Sequence, residues 1–155
     1  MQNINAHKLK KLLNSLCWFL DNLYNINNGG CCYVAYLISE HLDRIGVKYK
    51  LVIYDYTKKQ IDLTHYEITH KVNSNNPKSS VTGEYTCNHY CLYIEGGGII
   101  NNCNIDDQAF QCIIDGISSS DIKYIYRNGM WNNTYNSKNN KSVSKIISIF
   151  FKQYE

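Results

Sequence analysis

Proline is almost missing from this chain, with Pro77 the single example in 155 residues, and no apolar run is long enough to cross a bilayer. The longest such run near the N-terminus, Leu16 to Leu20, falls far short of the roughly 20 residues that a spanning helix needs. The surrounding stretch, MQNINAHKLKKLLNSLCWFLDNL, also lacks a cleavable apolar core with a small-residue exit, so neither a secretory leader nor a membrane anchor is expected. No C-x2-C knuckle occurs. The seven cysteines are odd in number and follow no cystine-framework spacing, which points to free thiols in a reducing, cytoplasmic compartment. Charge of one sign is not concentrated either: the net charge is +3, and lysine clusters only at Lys8–Lys11 and Lys138–Lys145. A nucleic-acid groove needs a denser basic stripe interleaved with stacking aromatics, so neither nucleic acid nor membrane is expected as a partner. With no internal repeat and no dividing linker, a single domain over residues 1–155 is expected.

Hydrophobic residues make up 44% and aromatics 13%, with 14 Tyr, enough to drive folding into a packed core. The 20 Asn fit the drift of an AT-rich coding sequence, as in many phages and low-GC bacteria. Residues 7–24 place Leu9, Leu12, Leu13, Leu16, Cys17, Phe19, Leu20 and Leu23 on or near one helical face. The polar run from Asn25 to Gly30 ends that helix. A second helix is predicted over Cys31–Ile45, CCYVAYLISEHLDRI, with Gly46 at its C-terminal cap. The alternating, β-branched segment Val47–Tyr56 reads as a strand. Residues 84–95 alternate again, the glycines at 96–98 turn the chain, and Ile99–Asn101 begins a return strand. Further on, a short helix is expected around Gln108–Ile114, a strand at Ile122–Tyr126, and a closing helix from Ser142 to Tyr154.

Cys31 and His89 carry the chemistry. A thiol attacks only as thiolate, and a helix N-terminus, worth roughly half a positive charge, stabilises one. The preceding glycines, Gly29 and Gly30, permit close approach of substrate and backbone, and first-turn N–H groups can bind an oxyanion. A His on a neighbouring strand can take the thiol proton and hand it to the leaving group, and a third residue holds the ring.

At these residues the sequence resembles the transglutaminase-like cysteine enzymes. GGCCYVAYLISEHLDRIGVKYKLVIYD is similar to their nucleophile helix and following strand, with Gly29, Cys31, Ala35 and Gly46 at the matching offsets. These offsets select Cys31 over Cys32, which would point about 100° away on the helix. HYCLYIEGGGIIN is similar to the family's second block. His89 takes the place of its His, and Asn101 stands where the family has Asp and papain-like relatives have Asn. The usual Trp two residues after the His is replaced by Cys91. The resemblance covers residues 29–55 and 89–101. It implies a papain-like α+β domain with the nucleophile helix on a small antiparallel sheet of about four strands. It also implies a cysteine peptidase or amidase working through an acyl-enzyme, with the triad Cys31, His89 and Asn101, or a transglutaminase or acyltransferase with the same triad. The substrate would be a peptide, a protein or a small amide, and no cofactor is called for. Asn102 or Asp106 could replace Asn101, and Asn25, six residues before Cys31, stands where papain-like proteases place an oxyanion Gln.

Plainer readings stand beside these. Cys31 could be a small buried hydrophobe, His89 a surface strand residue, Asn101 a turn residue, Asn25 a polar helix end and Trp131 a loop anchor. The scaffold could also serve as an inactive binding module that grips a host protein. A metal reading remains as well. Cys87, His89 and Cys91 share one strand face and, with Cys103, could offer a Cys3His set at a Zn–S distance of ~2.3 Å. Side chains two apart on a strand sit ~6.6 Å from each other, which strains three ligands on one ion. The metal reading predicts about one equivalent of zinc in purified protein and loss of the fold with a chelator. A metal-free sample indifferent to chelation dismisses it.

Overall fold

The computed structural model describes residues 3–26, 30–55, 88–100, 110–128 and 137–155. It is an α+β arrangement. In chain order come α1 (Ala6–Tyr24), α2 (Cys31–Ile45), β1 (Tyr49–Asp55), β2 (Asn88–Ile94), β3 (Gly98–Ile100), β4 (Phe110–Ile114), α3 (Ser119–Asn128) and α4 (Ser137–Phe151), then a short 3-10 turn over Lys152–Tyr154. The strands form a four-stranded sheet in the order β3-β2-β1-β4, every neighbouring pair antiparallel. Among the described residues no helix is long and apolar enough to cross a membrane.

Local chemistry sets the helix ends. The Asn5 side chain accepts from the Lys8 N–H at 3.0 Å and caps the start of α1. At the far end Asn25 adopts φ 53°, and its N–H donates to the Asp21 carbonyl at 2.8 Å. Asparagine tolerates this left-handed geometry better than other residues with a side chain. α2 closes on Gly46 at φ 74°, and the Val47 N–H reaches back to the Leu42 carbonyl at 3.0 Å. The chain then turns into β1.

The core lies between the helices and one face of the sheet. Leu9, Leu13 and Leu20 of α1, Val34, Ile38 and Leu42 of α2, and Leu51, Leu92 and Ile94 of the sheet belong to one buried cluster. Ile122 and Ile125 of α3 and Val143, Ile147 and Phe151 of α4 complete it. The opposite face of the sheet carries a smaller cluster of Val52 and Cys91 with Tyr93 and Ile99 packed on it.

Three expectations need correction. Residues 110–114 form β4, paired with β1, where a short helix was expected. Residues 119–128 form a helix where a strand was expected at Ile122–Tyr126. The cause is a reciprocal cap: the Asp121 N–H donates to Ser118 Oγ at 3.2 Å, and the Ser118 N–H donates to Asp121 Oδ2 at 3.0 Å. The buried face of α1 is also narrower than its apolar composition, because Phe19 and Leu23 are 52% and 57% exposed.

Two glycines respond differently to a side chain. A Cβ at Gly46 meets nothing within 4 Å, so Gly46→Ala is expected to cost only the left-handed backbone penalty of about 1–2 kcal/mol. A Cβ at Gly97, in the β2–β3 turn, would lie 2.5 Å from the Ala6 carbonyl oxygen, so Gly97→Ala must push the hairpin off the start of α1 and cost more. Urea unfolding of the two variants measures the order.

Candidate functional site

Cys31 is the first residue of α2, and its N-cap, Gly30, has no side chain with which to cap the helix. The first intrahelical bond runs from the Val34 N–H to the Gly30 carbonyl at 3.1 Å. An α-helix leaves its leading N–H groups without acceptors of its own, and their partial positive charge faces whatever lies at the N-terminus. No acidic side chain in the first turn of α2 opposes that field. Arg44 in the last turn complements the opposite pole.

The adjacent thiols meet different surroundings. Cys32 is buried, and its Sγ donates to the Ile122 carbonyl of α3 at 4.0 Å. Burial, with a smaller contribution from Cys31, pushes its pKa well up, so it stays a thiol. Cys17 of α1 is likewise buried and is raised to about 12, by burial first and the Asp21 charge second. Cys31 is only half-buried.

Cys31 lies at the opening of a pocket between α1, α2 and the β2–β3 side of the sheet. Ile26, Val34, Ala35, Ile38, Leu92 and Ile100 supply its apolar wall, joined by Cys17, Tyr90 and Cys91. All of these are buried, and Cys31 alone among the wall residues reaches solvent. The space measures about 310 Å³, its open mouth included.

His89 sits near the head of β2, opposite Tyr54 of β1. Tyr90, next to His89, shares the pocket wall with Cys31, and β2 is the strand against which α2 packs. The pleat separates the side chains of neighbours, however. Tyr90, Leu92 and Ile94 belong to the main core, whereas Cys91, two residues after His89, packs with Val52 and Tyr93 and also lines the pocket. His89 is 5% exposed and is not among the pocket residues. The fold thus brings the two chain segments together, with His89 in the same phase of the strand as Cys91. Asn101, Asn102, Asp106, Trp131, Cys87 and Cys103 lie outside the described residues. Asn25 is exposed and serves as the C-cap of α1. Among the described residues no group of His, Cys, Asp and Glu is placed to hold a metal ion.

A second polar constellation, to which the sequence reading gives no role, surrounds His41 of α2. Its Nε2 lies 3.5 Å from Ser148 Oγ, its Nδ1 lies 3.4 Å from Glu155 Oε1 and 3.5 Å from an Arg44 nitrogen, and its ring stacks on Phe151 at 4.7 Å. The order hydroxyl, imidazole, carboxylate resembles a catalytic relay. Ser148 nevertheless stands inside α4, where the backbone N–H groups are used by the helix, so no oxyanion donors accompany it. The group fastens α4 to α2. Its sequence signal is the buried stripe of α2, which His41 joins at helical spacing from Val34, Leu37 and Ile38.

Comparison with family models, with curated proteins and with solved structures returns no match to this chain. Of Cys17, Cys31, Cys32 and Cys91, the geometry predicts that only Cys31 is alkylated rapidly by iodoacetamide in native buffer at neutral pH. The other three should require denaturant, as peptide mapping by mass spectrometry would show; fast labelling of Cys17 or Cys32 would contradict their burial.

Proposed function

We propose that this chain is a papain-like thiol hydrolase in which Cys31 is the nucleophile. The observation that carries the reading is the position of Cys31: first residue of an uncapped helix, half-exposed at the mouth of an otherwise buried apolar pocket. In this reading the thiolate attacks an amide or ester carbonyl, and a sulfur–carbon bond forms. First-turn N–H groups of α2 steady the oxyanion, and the bond to the leaving amine or alcohol breaks as that group takes a proton. Water then attacks the thioester and releases the acid. An amine in place of water would make the same residues an acyltransferase.

His89 is assigned as the group that takes and returns the proton, and Asn101 as the residue that orients its ring. The assignment requires the imidazole to reach the sulfur of Cys31. The half-open apolar pocket also fits a second reading, an inactive module that keeps the scaffold and binds a protein partner.

The pH dependence of Cys31 alkylation separates the two. As an activated thiol, Cys31 should titrate well below the ordinary value of ~8.5. His89→Ala should move that titration back up and reduce hydrolysis of an activated ester by about 10²–10⁴-fold, and Cys31→Ala should abolish it. An ordinary titration of Cys31, unmoved by His89→Ala, would defeat the catalytic assignment and leave the binding module.

A further inference from the structure

We infer that the pocket behind Cys31 is an acyl-binding site for a short aliphatic group, so that the substrate class is a small branched or straight aliphatic acyl derivative. This inference rests on the thiol-hydrolase reading and names what that site would accept. Three observations point the same way. Among the described residues the wall is apolar wherever it is not cysteine or Tyr90, with Ile26, Val34, Ala35, Ile38, Leu92 and Ile100 around it and no charged residue. Such a lining desolvates a polar or charged side chain without offering it a partner, which excludes those substrates. The wall is buried everywhere except at Cys31, so a group entering from solvent passes the sulfur first. A carbonyl carbon held at the sulfur therefore directs its alkyl chain inward. Finally, the space of about 310 Å³ includes the open mouth. The enclosed part behind the sulfur is therefore much smaller than that figure and limits the group to a short chain. Ala35, the smallest wall residue, leaves the room one turn beyond Cys31 on the same helix.

The bond changes are those of the acylation step: the sulfur–acyl bond forms, the bond from carbonyl carbon to the leaving oxygen breaks, and the alcohol leaves with the proton. The assay uses p-nitrophenyl acetate, butyrate, hexanoate and octanoate with the full chain. Acylation of Cys31 is followed by intact mass, and each rate is divided by that of N-acetylcysteine to remove the intrinsic reactivity of the ester. The ratio is expected to rise about fourfold for each methylene buried, from acetyl to butyryl, and to level off or fall by octanoyl. Ala35→Leu should remove the rise from acetyl to butyryl. Ile38→Val, which opens the wall, should move the optimum to a longer chain and serves if Ala35→Leu fails to fold. A flat ratio across the series in the unmodified chain overturns the pocket assignment. A chain-length optimum with a thioester that is never hydrolysed overturns the hydrolase reading and leaves the acyl site standing; turnover with a flat series does the reverse.

Discussion

The burial of α2 on three sides is the constraint on which the rest of the molecule depends. This helix touches β2, α3 and α4, and Cys32, Val34, Ala35, Leu37, Ile38, Ser39, His41 and Leu42 are all buried along its length. Each large apolar side chain so buried is worth about 1.5–3 kcal/mol relative to exposure, and packed interiors yield little to displacement. Rotation of α2 about its axis is therefore not free. Residue 32 is locked onto α3, and residue 31, about 100° away, is left at the rim.

From that one orientation follow both the chemistry and the access of the site. Two adjacent thiols of identical covalent nature meet different surroundings, because burial penalises the thiolate at Cys32 while Cys31 stands half-exposed at the start of the helix. The same orientation makes Cys31 the threshold of a pocket whose other walls are interior. The His41 group, held between α2 and α4, secures the far end of the helix through a ring stack and three long polar contacts.

Much of this was legible in the residues. α1, α2, β1 and the hairpin appear close to their expected bounds because their periods are long and unambiguous, and because Gly46 and the glycines at 96–98 punctuate them. The two misassigned segments are short. Ile122, Ile125 and Tyr126 satisfy a helical spacing, while the run Ile122–Tyr126 also passes for a strand, and only the Ser118–Asp121 cap decides between them. Residues 110–114 became a strand through pairing with β1, a partner far away in the chain. For the site, the glycine-led cysteine at a helix start could be read directly. The role of His41 could not, since its contacts come from residues more than one hundred positions on.

By itself the sequence determined the helix that begins at Cys31, the cap that ends it, the strand that follows, and the alternation that sets His89 apart from Tyr90. Each of these depends on neighbours within a few residues. Only the tertiary structure decided which of the paired cysteines faces solvent and which residues wall the pocket. Those outcomes require surfaces distant in sequence to pack together, as Cys32 does with Ile122, and a local pattern carries no record of what it will be packed against.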